Sequence, residues 1–383
     1  MKALPPKLLE MIGQLVAIPS VSSVQPHLDT SNRPVIDCLA NWLDDLGFQT
    51  EIIPSSESKA NLIAWIGEGE DGLALSGHTD TVNYDQNGWK TDPFRVQQID
   101  NRLYGLGTCD MKSFLAIAIE AAKDFVGKNL KQRLTIIATA DEESTMQGVR
   151  TLVEQHRKLG RYCIIGEPTD LTPVRQHKGV FMEAIALYGK AGHSSNPALG
   201  KNALDGMRAV LNELDRFRKE LAEKYANHDF IVPIPTLNLG HIHGGDNPNR
   251  ICAECELHID LRLLPGMQIS TLRNELHERI NKTIERLGIT CKFESLFEGV
   301  PPFETPHDSK IVRLASEQTR KNPVSVTFST EAPFFNSMGM ETVVLGPGSI
   351  NQAHQANEYI SLPSLDPATE ILKNMIHTIC VQP

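Results

Sequence analysis

Apolar residues recur along this chain at helical spacing in some stretches and in short continuous runs in others. Helical spacing covers residues 8–16 and about 34–46. Residues 48–53 and 61–66 are short apolar runs, which indicate strands. Strands that alternate with helices predict an α/β fold, in which helices cover both faces of a mixed sheet.

Four further apolar runs each lead to a residue that can bind a metal or move a proton. The runs and the polar residues after them are 72–77 with His78 and Asp80, 134–140 with Glu142 and Glu143, 162–166 with Glu167, and 341–348 with His354. Taken alone, His78 could be a turn residue satisfied by Asp80, because short motifs often match by chance. Ligands bind beyond the carboxyl ends of the strands in an open α/β sheet, so four such runs predict one shared site at that edge.

A glycine-containing segment, Gly105-Leu-Gly-Thr-Cys-Asp110, precedes a further helical pattern. Asp110 could be an ordinary helix cap. The glycines would also let the backbone turn tightly enough to aim the Asp110 carboxylate into the cleft. A dinucleotide loop is not expected, because no third glycine follows Gly107 at the required spacing.

Metal chemistry accounts for this set of side chains better than any alternative. Imidazole suits zinc and carboxylates complete such a site, although cobalt or manganese would accept the same oxygen and nitrogen ligands. The charge of +4 on two divalent ions that share a carboxylate would be balanced by the negative charges of three carboxylates and one hydroxide. The chain offers two imidazoles and three carboxylates for this purpose: His78, Asp110, Glu143, Glu167 and His354.

Two carboxylates remain for other roles at this site. Glu142 is a candidate general base that takes a proton from water and passes it to a leaving nitrogen. It could instead be a solvated acid in an acidic run. Asp80 is expected to accept a hydrogen bond from the imidazole N–H of His78.

The pattern of elements changes after Lys178. Predicted elements follow in the order strand 179–188, helix 202–225, strands 236–241 and 254–263, helix 270–287 and strand 290–294. This is the order of a ferredoxin-like α+β unit. We therefore predict a first domain in two parts, 1–178 and 295–383, with a second domain, 179–294, inserted between them.

Composition narrows the class of protein. A length of 383 residues predicts two or three domains, and a net charge of −10 argues against nucleic-acid binding.

The seven cysteines form no tightly spaced framework, and Cys252-x-x-Cys255 lacks the second pair of a zinc ribbon. A redox pair stays an alternative to incidental thiols at these two positions. Reduced thiols favour the cytoplasm. We expect no membrane association, because no apolar run reaches 18 residues and Lys7 and Glu10 interrupt the N-terminal stretch.

Five segments resemble, in order and spacing, the family of co-catalytic zinc aminoacylases, carboxypeptidases and deacetylases. The segments are Gly77-His-Thr-Asp80, Gly105-Leu-Gly-Thr-Cys-Asp110-Met-Lys, Asp141-Glu-Glu143, Gly166-Glu-Pro-Thr169 and Gln352-Ala-His354. The likeness covers nearly the whole chain. It implies a metallopeptidase fold and a hydrolase that cleaves a linear amide of a small-molecule substrate.

The resemblance also implies roles for individual residues. His78 and Glu167 would bind one metal ion, Glu143 and His354 the other, and Asp110 both. Glu142 would be the acid and base. A non-proline cis peptide would follow Asp110, and Cys109 stands where alanine is expected, which puts only oxidation sensitivity in doubt.

Further residues are implied in the inserted domain and after it. The inserted domain would form a homodimer and lend His193 to the partner's active site, where it would stabilise an oxyanion. Asn249 and Arg262 would hold the substrate α-carboxylate, although Arg262 could instead be a strand-surface residue. Thr330 and Glu331 are further candidates, with Glu331 facing a cationic substrate side chain.

Three alternatives stay open. The same dinuclear chemistry could act on another substrate, as in an aminoacylase, a succinyl-diaminopimelate desuccinylase or a dipeptidase. The chain could be a binding protein without activity on the same scaffold, although all five ligands and Glu142 are in place. An interaction module built on the inserted domain alone would leave the acidic strand ends unexplained.

Overall fold

The structure, a computed structural model, describes residues 5–382, apart from the side chain of Gln86. The first four residues, part of the stretch expected to lack a signal peptide, lie outside it. The chain divides into two compact units. Unit 1 contains the described residues up to Arg175, Thr305–Val324 and those from Thr330 onward, and unit 2 contains Gln176–Glu304 and Ser325–Ser329. That these units act as a catalytic and a dimerisation domain stays a prediction.

The first part of unit 1 contains four helices and eight strands. In chain order they are α1 (Leu8–Val16), α2 (Arg33–Leu46), β1 (Gln49–Pro54), β2 (Ala60–Ile66), β3 (Leu73–His78), β4 (Gln97–Ile99), β5 (Arg102–Tyr104), α3 (Lys112–Lys123), β6 (Leu134–Thr139), α4 (Gln147–Glu154), β7 (Tyr162–Pro168) and β8 (Val174–His177). The chain passes into unit 2 within β8.

Unit 2 and the return to unit 1 contain the remaining elements. In unit 2 they are β9 (Gly179–Tyr188), α5 (Ala203–Lys224), β10 (Thr236–Gly244), β11 (Glu254–Leu263), α6 (Ile269–Ile284), β12 (Thr290–Val300) and β13 (Phe303–Glu304). They are followed by α7 (Lys310–Thr319), β14 (Val324–Val326), α8 (Ala332–Ser337), β15 (Glu341–Gly346), β16 (Tyr359–Ser361) and α9 (Leu365–Ile376).

The main sheet of unit 1 brings four strand ends to one edge. Six of its strands lie in the order β1-β2-β6-β3-β7-β15, and β8 follows β15. The pairs β6–β3, β3–β7 and β7–β15 are parallel, whereas β1 and β2 run antiparallel to their neighbours. Strands β3, β6 and β7 are buried along their whole length, which explains their continuous apolar sequences. The predicted α/β fold with a mixed sheet is confirmed.

Apolar residues of five helices form one core with this sheet. Helices α1, α2, α3, α7 and α9 contribute to it together with β2, β3, β6, β7 and β15. Helix α3 is buried along most of its length, including Phe114 and Leu115. Among the described residues, none of the helices has both the length and the apolar character needed to span a bilayer.

Unit 2 is a ferredoxin-like unit, as predicted. Its four antiparallel strands lie in the order β10-β11-β9-β12, and α5 and α6 pack their apolar faces into its core. The last predicted strand ended at Glu294, whereas β12 extends to Val300. Register shifts after Ser295 and Phe297 interrupt the regular pairing of β12 with β9 just beyond the predicted boundary.

Candidate metal centre and active site

Five predicted metal ligands come together at the carboxyl edge of the main sheet. His78 is the last residue of β3, and Glu167 is the second-to-last residue of β7. Glu143 lies in the loop after β6, and His354 follows β15 with a left-handed backbone (φ 58°). Asp110 precedes α3, and the peptide bond to Met111 is cis, as the resemblance implied.

His78 is buried and is held in one orientation by its own turn. Its Nδ1 lies 2.9 Å from the backbone carbonyl oxygen of Asp80. A carbonyl oxygen only accepts, so Nδ1 carries the hydrogen and Nε2 is free to bind a metal. Nε2 points at Asp110 Oδ1, 3.0 Å away, with Glu167 Oε1 at 3.9 Å.

The contact of Asp80 differs from the predicted one. We expected its carboxylate to accept the imidazole hydrogen, but Asp80 Oδ1 lies 3.8 Å from His78 Nδ1 and the turn brings the backbone carbonyl closer. Asp80 Oδ2 instead accepts a hydrogen bond from the backbone N–H of Glu143 at 3.0 Å. The carboxylate of Asp80 therefore fixes the backbone of another candidate ligand.

Asp110 lies between the two imidazoles. His354 Nε2 is 3.5 Å from Asp110 Oδ2 and 3.0 and 3.2 Å from the two oxygens of Glu143. Two compact sets of ligand atoms result, and Asp110 belongs to both: His78, Asp110, Glu167 and Asp110, Glu143, His354. A third set is His78, Glu142 and Glu143. Each of these sets could hold a metal ion.

The electrostatics of the cluster favour bound cations. Burial, and then the neighbouring charge of Asp110, raise the pKa of Glu167 well above its usual range. Burial and Glu167 do the same to the pKa of Glu142. The hydrogen bond to Glu143 raises the pKa of His354 to about 9. Crowded carboxylates hold protons in this way when no cation balances them.

Two buried oxygens test whether the residues fit a metal. Glu167 Oε1 and Asp80 Oδ1 have no hydrogen-bond partner within residues 5–382. Such atoms are costly in a protein interior unless a ligand satisfies them. Glu167 Oε1 faces the same space as His78 Nε2, so the donor set fits a divalent cation.

Sequence reasoning missed Glu358, which lies four residues beyond His354. Its carboxylate is 2% exposed and accepts three backbone hydrogen bonds. Oε1 accepts from the N–H groups of Cys109 at 2.7 Å and Asp110 at 3.0 Å, and Oε2 accepts from Gly107 at 3.1 Å. The only signal in the sequence was a lone acid between His354 and an apolar strand.

Sequence reasoning also missed Lys59, just before β2. Its side chain is 4% exposed, and its Nζ lies 2.6 Å from Asp29 Oδ1 and also forms an ion pair with Asp141. Ser22 donates a hydrogen bond to the same Asp141 oxygen at 2.7 Å. Asp141 adopts a left-handed backbone (φ 60°) directly before Glu142, so this ion pair anchors the start of the acidic loop.

Two of the predicted substrate residues lie at the same edge of unit 1. Glu331 is 1% exposed, accepts a hydrogen bond from Thr139 Oγ1 at 2.9 Å and has no partner within residues 5–382 at Oε1. Burial raises its pKa to about 8. Thr330 Oγ1 accepts the N–H of Ala332 at 3.1 Å and so helps to begin α8.

The other predicted residues lie in unit 2. Exposed His193 accepts hydrogen bonds at Nδ1 from the N–H and hydroxyl of Ser195, at 3.2 and 2.7 Å. Asn249 is exposed, and its carbonyl accepts the N–H of Ser194 at 3.0 Å. Arg262 forms two hydrogen bonds to Asp260, at 2.8 and 3.0 Å, which matches the strand-surface alternative.

Cys109 is buried beside the candidate ligands. Its thiol lies 3.5 Å from the carbonyl oxygen of Ser349, to which it donates, and it is 3% exposed. Burial and the charge of Glu358 raise the pKa of the Cys109 thiol. Both effects favour the protonated thiol, which is the less reactive form of cysteine.

Comparisons with known proteins agree with this geometry. The sequence pattern of peptidase family M20/M25/M40 matches residues 74–378. An acetylornithine deacetylase from Pasteurella multocida is 45% identical over 378 residues, which cover 98% of each chain. Aminopeptidase PepT from Bacillus cereus has a TM-score of 0.77 at 20% identity, over 97% of this chain and 98% of that one. A dinuclear metal-binding peptidase from Bacillus subtilis has a TM-score of 0.68 at 15% identity, over 97% and 98%. The chain belongs to peptidase family M20/M25/M40.

Proposed function

We propose that this protein is a metal-dependent amide hydrolase that removes the acetyl group from N2-acetyl-L-ornithine. The products are L-ornithine and acetate, in arginine biosynthesis. The similarity to an acetylornithine deacetylase, 45% identical over 98% of both chains, carries the choice of substrate. The seven cysteines are free, which suits a reducing compartment, and we propose that the protein acts in the cytoplasm.

Two divalent cations, most simply zinc with cobalt as an alternative, would be held by the five clustered ligands. His78 and Glu167 would bind one cation, Glu143 and His354 the other, and Asp110 both. The short distances from Asp110 to both imidazoles support this division. Bound there, divalent cations would lower the pKa of water and polarise the acyl carbonyl.

Glu142 would move the proton. It lies next to Glu143 in the loop after β6 and shares a compact set with His78. Burial raises its pKa, which suits a group that must accept a proton from water and later release it. Glu142 would take the proton from the attacking water and hand it to the departing amine nitrogen.

Glu331 and one of two candidates for the α-carboxylate would recognise the substrate. The buried, unpartnered oxygen of Glu331 supports a contact with the δ-ammonium of ornithine. Of the two candidates for the α-carboxylate, Asn249 has the freer side chain, since Arg262 is bound to Asp260. Replacement of Glu331 by Gln should weaken the preference for acetylornithine over acetylmethionine. An unchanged preference would remove Glu331 from the substrate site.

The experiment that tests the function is release of ornithine from N2-acetyl-L-ornithine by the purified protein. We expect release with zinc or cobalt, none after chelation, and slower turnover of acetylmethionine and succinyl-diaminopimelate. Faster turnover of either competitor would assign the same chemistry to another substrate. No release from any of these substrates by metal-loaded protein would contradict the proposed function.

We further propose a homodimer through unit 2 in which His193 acts in the partner's active site. Because Nδ1 of His193 accepts hydrogen bonds from Ser195, its neutral ring carries the hydrogen on Nε2. That N–H could donate to an oxyanion, a contact worth about 2.7–4 kcal/mol. Mixed dimers of His193→Ala and Glu142→Ala proteins should recover activity, and a mixture that stays inactive after subunit exchange would exclude action in trans.

A further inference from the structure

Glu358 joins two segments that are far apart in the sequence. It lies on the segment of His354, and its carboxylate accepts backbone hydrogen bonds from the segment of Asp110. The backbones of the two segments also meet, because the N–H of Gly105 donates to the carbonyl oxygen of Glu358 at 3.1 Å. One side chain thus connects two of the five candidate metal ligands.

The three N–H groups that donate to Glu358 belong to the segment 107–110, whose backbone sets the direction of the Asp110 carboxylate. Two of the donors are Asp110 itself and the residue before it, at 3.0 and 2.7 Å from Oε1. The third is Gly107, which has a left-handed backbone (φ 81°). With these N–H groups fixed, the backbone around Asp110 has little freedom to rotate, and its oxygens stay 3.0 Å from His78 and 3.5 Å from His354.

We infer that Glu358 is a positioning residue that holds the shared carboxylate of Asp110 in register with both imidazoles. This inference rests on the proposed metal centre but not on the identity of the substrate. Glu358 would touch neither cation. Residues that orient metal ligands typically contribute about 10–100-fold to metal affinity.

The variant Glu358→Gln is the sharpest test, because it keeps the size of the side chain. A carboxamide has one oxygen and one NH2 group, and the NH2 group only donates. At least one of the three backbone N–H groups would therefore face a donor in place of an acceptor. Glu358→Asp keeps both oxygens but is shorter by one methylene, so it should be affected less.

The matched control is Glu183→Gln in unit 2. Glu183 is also 2% exposed, and its Oε1 accepts a hydrogen bond from His277 at 2.6 Å. It is buried to the same degree as Glu358, and its partners His277 and Arg273 lie in unit 2. The same substitution there should leave metal affinity unchanged.

The measurement is the zinc affinity of the folded protein, obtained by competition with a chromophoric chelator, beside the melting temperature of the metal-free protein. We expect zinc affinity to fall about 10–100-fold in Glu358→Gln and not in Glu183→Gln. A merely structural role would lower the melting temperature and leave zinc affinity unchanged, and that result would overturn the inference. If Glu358→Gln does not fold, Glu358→Asp replaces it, and wild-type affinity in that variant would overturn the inference as well. If the wild-type protein binds no divalent cation, the proposed metal centre fails and the inference fails with it.

Discussion

Lys59 offers a test of how the acidic loop is held. In the variant Lys59→Met, the ammonium group is lost while the length of the side chain is kept. The Asp141 carboxylate, 9% exposed, would lose its ion pair and keep the hydrogen bond from Ser22. Asp29 is 27% exposed and can be hydrated, so most of the effect should come from Asp141.

Removal of one partner from a buried ion pair typically costs about 3–5 kcal/mol, because a buried charge is left uncompensated. For a domain of this size that corresponds to a melting temperature lower by roughly 6–20 °C. Activity should fall too, since Asp141 directly precedes Glu142 and Glu143. The double variant Lys59→Met, Asp141→Asn should recover part of the stability, because no unpaired charge remains.

Lys158→Met is the matched control. The Lys158 side chain is 80% exposed, and its ion pair with Glu70 at 3.4 Å should contribute no more than about 1 kcal/mol. Urea denaturation of the metal-free proteins, followed by circular dichroism, compares the two variants. If Lys59→Met lost no more stability than Lys158→Met, the buried ion pair would not be anchoring the loop.

The pH dependence of the Lys59 contribution follows from its pKa. Burial lowers the pKa of Lys59, but the hydrogen bonds to Asp141 and Asp29 outweigh burial and raise it above 10.5. The folded protein therefore holds the proton more tightly than the unfolded chain does. The contribution should be complete below about pH 10.5 and should be lost only as the pH rises through the higher pKa of the folded state.

Three further predictions concern the site itself. Glu142→Gln should lower kcat by about 10²–10⁴-fold. Metal analysis should show that both metal ions are still bound. Activity near the wild-type level would exclude Glu142 as the base. Burial raises the pKa of Glu331 from 4.5 to about 8, so the metal-free folded protein binds a proton that the unfolded chain releases. The free energy of unfolding should therefore fall as the pH rises from about 4.5 to 8. Urea titrations of Glu331→Gln should show a weaker fall over this range. A fall identical to that of the wild-type protein would contradict the raised pKa of Glu331. Cys109→Ala should leave zinc affinity within about twofold of wild type, because the thiol donates its hydrogen to the carbonyl oxygen of Ser349. A larger loss would indicate that the thiol binds metal.

Much of the site could be predicted because its side chains follow buried parallel strands. The apolar runs of β3, β6, β7 and β15 are continuous, and parallel strands end at the same edge of a sheet. His78 and Glu167 could therefore be assigned to one place from sequence alone. The ferredoxin-like order of unit 2 was predictable for a similar reason, since its long strands and amphipathic helices have clear periods.

The residues that hold the ligands were beyond prediction, because their partners are backbone groups far away in the sequence. No spacing pattern indicates that Glu358 accepts the N–H groups of Cys109 and Asp110, or that Lys59 reaches Asp141. Asp80 was given the wrong partner because the pattern cannot distinguish its carboxylate from its backbone carbonyl.

The helices near the end of unit 1 carry weaker sequence signals. Helix α8 has only six residues. Helix α9 has Pro367 in its first turn, where a proline is tolerated because the missing N–H has no helical partner there. Neither of these two helices was predicted from the sequence.

The pairing of β15 with β7 has a consequence for the order in which the protein folds. Cys163 of β7 lies opposite Thr342 of β15, and both segments of unit 2 are encoded between them. Contacts between residues so distant in the sequence form slowly, whereas unit 2 is formed largely from one contiguous segment. On the ribosome, unit 2 can therefore fold while one edge of β7 is still unpaired. Until β15 is added, that edge is exposed to other chains, and His354 cannot complete the cluster. Folding of unit 2 does not change when β15 is synthesised, but it pairs Gln176 with Glu304 at the two ends of its long segment. The shortened loop should speed the pairing of β15 with β7 and so limit aggregation of the nascent protein.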